Sequence, residues 1–342
     1  MTSPACATDH RHSLLIGVCV LSSYSAMDLR QLAALTAVAE CGTFSAAADR
    51  LNTVQSNVSA HIARLEKILG ATLVDRSAGR LTEEGEIVVA RARRIQTELD
   101  GLVADVTALR HDVVGDVKVG VIGTVARWLV PPLHAAMSVA HPHVRMVVVD
   151  ASTTSLAPQL VGGSLALAVV NLPLDDPDTT VIPLFEEDMV AVIPEGHRLF
   201  HHDKLNMTHL HNVPLLLPPT GTSYRHELDE AADIADVSLV AQAEIDGVRL
   251  ITSMAFDGVG VAVVPATAVP GHLSGPWRAL PLEGIEPRQV GIVQRRRGML
   301  SAPARALLAV LLRVVNEQVE EQAGVRLLRQ PSRPVEPEPE SV

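Results

Sequence analysis

Cysteine is scarce in this chain: Cys6, Cys19 and Cys41 are the only three in 342 residues. An odd, sparse set without a Cys-x-x-Cys pair excludes a disulfide framework and a zinc finger, and it fits a reducing, cytoplasmic compartment. No apolar run approaches the roughly 18 residues a membrane-spanning helix needs, so no membrane partner is expected. The signatures G-x-x-x-x-G-K-[ST], G-x-S-x-G and H-E-x-x-H are absent. Phosphate-cradling loops, nucleophile elbows and zincin chemistry therefore lack support, and no catalytic residue, metal site or cofactor is assigned. Gly258-Val259-Gly260 lacks a third glycine and suits a tight helix-to-strand turn instead. The 22 glycines and 22 prolines follow no G-x-y period, which excludes a collagen-like chain.

What is present is a globular composition, 47% hydrophobic and 20% charged, over a length suited to two or three domains. A formal charge of −11 argues against a uniformly basic nucleic-acid coat and leaves the placement of the cations to decide. The histidine groups His141-Pro142-His143, His201-His202 and His209-Leu210-His211 come without cysteine or ordered carboxylates, so they read as solvated loop residues. Cys41 beside Gly42 is a redox-sensor candidate, set against the plainer reading of an inert, partly buried thiol. The apolar stretch 14–21 is a weak imitation of a signal peptide. The alternative is that 1–26 is a non-native or disordered extension and Met27 the natural start. At the other end, 321–342 lacks apolar periodicity and is expected to be a disordered tail.

The organised pattern begins after Met27. Leu29, Leu32, Leu35 and Val38 follow helical spacing up to Cys41-Gly42. A second short helix has Phe44, Ala47, Ala48 and Leu51 on its apolar face, with Thr43 or Ser45 as its cap. A third, over about 54–69, places Val58, Ile62, Leu65 and Leu69 in one stripe. Its opposite face carries Ser56, Asn57, Ala60, Ala63, Arg64 and Lys67, with Gln55 and Ser59 flanking near the N-terminus. Small residues let such a helix approach a groove, Asn57 can reach base edges, and Arg64 and Lys67 can reach phosphates or a guanine. The segment from Thr72 to Leu81 reads as a β-wing with Arg76 and Arg80 near its tip. Thr82 before Glu83-Glu84 is a helix start.

The next helix, over about 83–111, repeats apolar residues at Val88, Ala92, Ile95, Leu99, Leu102, Val106 and Leu109 with alternating steps of four and three. Such a heptad predicts a dimerisation seam, and a dimer would present two recognition helices to two half-sites.

Met27-Asp28-Leu29-Arg30-Gln31-Leu32, Gly42-Thr43-Phe44-Ser45-Ala46-Ala47-Ala48, Leu51, Gln55, Ser59, Ile62, Leu65-Glu66, Leu69-Gly70, Leu73, Arg76, Leu81-Thr82 and Gly85 agree in order and spacing with a known pattern. This stretch resembles the winged helix-turn-helix of LysR-type transcriptional regulators. The resemblance implies a cytoplasmic bacterial regulator, dimeric or tetrameric, whose C-terminal domain binds a small effector. Where the family commonly has Ser-Gln-Pro, this chain has Val54-Gln55-Ser56, so Val54 cannot cap and Thr53 is expected to do so. Asn57 replaces a usually small apolar residue, and Ala60 stands where a longer polar one is common. These departures leave DNA binding expected and the operator sequence open.

From Gly115 onward short apolar runs alternate with helical ones, which predicts a mostly parallel sheet covered by helices. Pro131-Pro132-Leu133, the 162–170 run, 193–199 and 258–265 are similar to landmarks of the family's periplasmic-binding-protein-like effector domain. Its two lobes should meet at crossovers near 184–188 and 280–284. Ligands of open α/β sheets collect beyond the strands' carboxyl ends, where helix N-termini offer free N–H groups. Four places qualify: Gly123-Thr124-Val125, Ser152-Thr153-Thr154, Thr220-Gly221-Thr222, and Asp246 to Val248. They suit a carboxylate or another anionic oxygen, with Arg127 or Arg225 as charge partner. Each residue also has a plainer role as a helix cap or surface group.

The expected whole is α/β: a winged helix-turn-helix over 27–85, a linker and dimerisation helix over 86–112, and a two-lobed effector domain over 115–320. Lobe I comprises about 115–186 and 283–320, and lobe II about 187–282. The expected function is a DNA-binding regulator. Its partners are double-stranded promoter DNA, a small-molecule effector and further copies of itself as a homodimer or homotetramer, with RNA polymerase a further candidate. The alternatives are a small-molecule binding protein with an N-terminal assembly module, and a two-domain enzyme.

Overall fold

The structure, a computed structural model, describes residues 27–76, 79–109 and 112–328. Two compact units divide between Thr97 and Glu98.

In the first unit, α1 (Leu29–Cys41), α2 (Phe44–Arg50) and α3 (Gln55–Leu69) are followed by β1 (Val74–Asp75), β2 (Arg80–Leu81) and the start of α4 (Glu83–Ala108). A capping box opens α1: the Asp28 carboxylate accepts the Arg30 N–H and the Gln31 side chain accepts the Asp28 N–H. Gly42 at φ 74° ends it, in the left-handed region that side chains disfavour. Val58, Ile62 and Leu65 of α3 are fully buried against Leu35, Val38, Ala47 and Leu73. Each such side chain stabilises the unit by roughly 1.5–3 kcal/mol as an upper estimate. Leu69, expected in the same stripe, is exposed at the helix end, where the chain turns away through Gly70. The wing is tied back to α3, because the Glu66 carboxylate accepts the Leu73 N–H at 2.8 Å. Thr82 caps α4 as expected, accepting the Gly85 N–H at 3.0 Å while its hydroxyl donates to the Thr72 carbonyl. Gly85 is required there, since a Cβ would collide with the Leu73 carbonyl oxygen.

The second unit holds two six-stranded sheets. The first lobe contains β3 (Gly115–Val121), β4 (Val144–Asp150), β5 (Leu167–Leu172), β6 (Thr179–Glu187), β13 (Arg288–Arg295) and β14 (Val325–Leu327), in the order β14-β6-β13-β5-β3-β4. The second contains β7 (Met189–Pro194), β8 (Leu205–Asn206), β9 (Pro214–Leu217), β10 (Val240–Glu244), β11 (Val261–Pro265) and β12 (Trp277–Glu283), in the order β10-β9-β11-β7-β12-β8. Helices α5 (Gly123–Ala140), α6 (Thr153–Val161) and α9 (Ala302–Glu321) belong to the first lobe, and α7 (Ser223–Ile234) and α8 (Val248–Phe256) to the second.

In the first sheet β3, β4 and β5 pair parallel, and in the second β9 pairs parallel with β10 and β11 and β12 parallel with β8, but β13 pairs antiparallel with both β5 and β6, and β7 antiparallel with both β11 and β12. Most strands of each sheet thus share one direction, as expected, with β7 reversed in the second sheet and β13 and β14 reversed in the first. Strands β7 and β13 are reversed because the chain crosses between lobes within two extended passages, β6 to β7 and β12 to β13, and each enters its new sheet against the grain. Only Asp188 separates β6 from β7. Strands β6 and β12 were not anticipated. The expected tail also begins too early: α9 runs to Glu321, and Val325–Leu327 pair with β6 because Arg326 bonds Glu186 and Asp188. Residues 329–342 and 1–26 lie outside the described residues.

One apolar cluster serves both lobes, joining Trp128, Leu129, Phe185 and Leu307 to Val192, Ile251, Ala262 and Val264. Trp128 meets Phe185 edge-on at 5.3 Å between ring centres, and Phe256 stacks on Trp277 at 4.2 Å.

Candidate DNA- and effector-binding sites

The polar face of α3 is assembled largely as its sequence suggests. Gln55, Ser56, Asn57, Arg64 and Lys67 are exposed, Ser59 and Ala60 half-buried, and Thr43 and Ser45 are exposed at the start of α2. Thr43 caps α2, accepting the Ala46 N–H at 3.2 Å. The expected Thr53 cap of α3 does not form. Val54 occupies the cap position, and the Thr53 hydroxyl, one residue too early, accepts instead from the Asn57 amide at 3.0 Å. That bond holds Asn57 on the helix face. Arg76 lies over the Phe44 ring at 5.8 Å, and Arg80 is exposed on β2.

The cations differ in how they are neutralised. Arg50 and Arg93 both meet the Glu40 carboxylate, at 2.7 and 3.6 Å. Arg64, Lys67 and Arg80 have no ion-pair partner among the described residues. Positive charge on α3 and the wing is thus left without an internal ion pair among the described residues.

The supposed seam of α4 has two fates. Ala92 is buried and Val88 packs partly into the winged unit's own core, so both contribute to that core. Heptad spacing alone could not tell this packing from a coiled coil. Further on, Ile95, Leu102, Val106 and Leu109 are exposed, with Ile87 and Val103, while Leu99 is half-buried.

In the second unit, Gly123 opens α5 beside Asp150 at the end of β4 and Arg249 in the first turn of α8. Asp150 and Arg249 form an ion pair of 2.7 Å between the lobes, which no sequence pattern indicated because the residues are 99 positions apart. The Thr153 hydroxyl accepts the Asn171 N–H at 3.2 Å, fastening the end of β5. Ser152 bonds Thr154 and Ser155 through its hydroxyl and leaves α6 without a side-chain cap. Other candidates are occupied structurally. Val125 is a core residue and Thr124 is buried. Thr222 caps α7, accepting the Arg225 N–H and donating to the Pro219 carbonyl. Arg225 bonds Asp229, Glu244 and the Pro218 carbonyl, which commits its charge within its own lobe. Thr220, Gly221 and Asp246 are exposed, and Val248 is half-buried. Arg127 lies over the Phe256 ring at 5.5 Å. It lines an open depression of about 560 Å³ with Val130, Val148, Asp150, Arg249 and Leu250.

Residues 29–86 match the bacterial regulatory helix-turn-helix family of lysR type, and residues 110–316 match the LysR substrate binding domain. The chain belongs to the LysR family of transcriptional regulators. This LysR regulator is 31% identical over 309 residues to a probable hydrogen peroxide-inducible genes activator of Mycobacterium leprae, an alignment covering 87% of this chain and 96% of that one. Its fold is similar to that of a full-length OxyR cysteine-to-aspartate variant from Pseudomonas aeruginosa, with 25% identity, a TM-score of 0.70, and 89% of this chain and 99% of that chain covered. Full-length CbnR complexed with its target DNA has the same fold, with 23% identity, a TM-score of 0.62, and 85% and 100% covered. The chain is accordingly a DNA-binding regulator with an effector-binding domain, and its DNA partner is a promoter. Among the described residues no helix is long and apolar enough to cross a membrane.

Proposed function

We propose that two copies of this regulator associate through the exposed apolar face of α4 and set two α3 helices into successive major grooves of an operator. The observation that carries this reading is the set of unpartnered cations Arg64, Lys67 and Arg80 in the unit whose exposed helix face presents Gln55, Ser56 and Asn57. Lys67 and the wing arginines Arg76 and Arg80 contact phosphates, while Gln55, Asn57 and Arg64 read bases. Thr43 and Ser45 approach the backbone, and Ser59 and Ala60 permit close approach. The regulator works in the cytoplasm, with RNA polymerase as its downstream partner.

The effector binds where the strands' carboxyl ends face the other lobe, and it is returned chemically unchanged. Gly123, Ser152, Thr153, Thr154, Thr220, Gly221 and Asp246 are the candidate contacts. Arg249 supplies the charge partner for a carboxylate or similar anion, because its exposed guanidinium is shared with a single carboxylate, Asp150, whereas the largely buried Arg225 is held by two carboxylates and the Pro218 carbonyl. Binding favours one lobe arrangement, alters the spacing of the recognition helices and changes DNA bending. This requires different effector affinities for the two arrangements.

Peroxide sensing by thiol chemistry is not carried over from the relatives. This chain has no cysteine beyond Cys41, so its effector domain can form neither a sulfenic acid nor a disulfide. The half-buried Cys41 lies in the winged unit with an Arg50 guanidinium 4.0 Å away. Fluorescence anisotropy of the protein on its own upstream intergenic DNA, against scrambled DNA and across a salt series, tests the reading. Selective binding with a slope reporting several phosphates is expected, unchanged by peroxide. Equal, weak binding to both DNAs, together with no site from a genome-wide selection, would favour a small-molecule binding protein whose N-terminal unit only assembles it.

A further inference from the structure

Glu187 is the last residue of β6, one residue before the chain enters the other lobe. Its partner in the strand register is Arg288, the first residue of β13, where the second crossover ends. The two side chains therefore stand astride both passages between the lobes. Glu187 is fully buried. Its Oε2 accepts two hydrogen bonds from Thr267, from the N–H at 3.1 Å and the hydroxyl at 2.7 Å, which ties the hinge to the turn after β11. Its Oε1 is buried without any partner.

Every charged or titratable group around it can be named. From β13 comes Arg288, whose guanidinium also lies 3.7 Å from Glu227 and 5.4 Å from the Tyr224 ring centre. From α7 come Glu227 and Tyr224. The Tyr224 hydroxyl donates to the Val263 carbonyl at 2.6 Å, and burial pushes its ionisation far up, so it stays neutral. On its own strand and the next residue, Glu186 and Asp188 are held by Arg326 of β14, at 2.9 and 2.7 Å. One guanidinium offsets one of these two negative charges, so a net negative charge remains at the strand end. What remains is one guanidinium, paired with Glu227 and acting on Glu187 through its field without an ion pair to it. Burial raises the affinity of both for a proton and outweighs Arg288 at both sites and the two Thr267 bonds at Glu187, and Glu187 is the one wholly out of water. An unpartnered buried oxygen is tolerated far better on a neutral carboxyl than on a carboxylate.

We propose that Glu187 is a proton switch in the lobe hinge: neutral, it seats the crossover strands against the Thr267 turn, and ionised, it destabilises that seating and shifts the lobes. The consequence for regulation rests on the reading that lobe geometry is transmitted to DNA. It makes effector response and operator footprint depend on pH.

The test uses the full chain. Isotope-edited infrared difference spectra between wild type and Glu187→Gln should show a protonated carboxylic-acid band in the wild type, lost as pH rises. Thermal melting should decline in the wild type through the same range. The sign follows from a folded state that binds more protons than the unfolded one above the ordinary glutamate range, so stability falls as pH rises. Glu187→Gln should flatten that decline, and Glu227→Gln should move it to lower pH, since the Glu227 charge helps Glu187 keep its proton. Absence of the acid band at any pH where the protein is folded overturns the switch, whether or not the glutamine variant folds. An unchanged slope in a folded Glu187→Gln variant does the same. Neither measurement needs DNA, so both stand if the operator reading fails. On operator DNA, footprints above and below the titration should differ. Identical footprints while the band titrates would overturn the regulatory consequence.

Discussion

Asp150, the last residue of β4, and Arg249, in the first turn of α8, meet at 2.7 Å and join the two lobes of the effector domain beside Gly123. The carboxylate is about 30% exposed and the guanidinium 57%, so water and salt weaken the pair. A double-mutant cycle with Asp150→Asn and Arg249→Gln should give a coupling of about 0.2–1 kcal/mol at low salt, fading in molar salt. Arg249→Gln should also weaken effector binding more than Arg225→Gln does. The reverse order would sink the assignment of Arg249 as charge partner.

Asn57 is held by a residue that need not touch DNA. Asn57→Ala should cost about 1–3 kcal/mol of discrimination at one operator position. Thr53→Val removes the 3.0 Å bond and should relax the same position by a smaller amount. Lys67→Ala should weaken all sequences alike and lower the salt slope by about 1. Selection on a randomised operator separates these outcomes. A Thr53→Val preference shifted at a different position would argue against the positioning role.

The two parts of α4 should respond differently to charge. Leu102→Asp with Val106→Asp alters only exposed side chains and should convert the oligomer to smaller species with both units still folded, as read by analytical ultracentrifugation and circular dichroism. Ala92→Asp puts a carboxylate into the winged unit's core and should unfold that unit. A Leu102→Asp, Val106→Asp protein that keeps its wild-type mass would remove α4 from the interface.

Gly85→Ala should destabilise the winged unit by about 1–3 kcal/mol, because its Cβ meets the backbone oxygen of Leu73 rather than a movable side chain. Denaturant unfolding followed with DNA binding measures it. A variant as stable as wild type would mean that the start of α4 can draw away from the wing without cost.

The hinge inference adds a pH prediction in which the direction, set by burial at Glu187, is stability lost on going alkaline.

Local chemistry made much of this protein legible in its sequence. Helical spacing at Leu32, Leu35 and Val38, the glycine stop at Gly42 and the Thr82 cap depend on residues a few positions apart, and they formed as read. The exposed face of α3 was legible for the same reason, as was the absence of thiols from the effector domain. Only the tertiary structure decided the rest. That Val88 and Ala92 enter the winged unit's core depends on how its helices pack, and Arg225 is held in part by Glu244 of β10, a distant strand. The Asp150–Arg249 pair and the Glu187–Arg288 hinge join residues about a hundred positions apart through strand order and register, and no periodicity along the chain encodes that proximity.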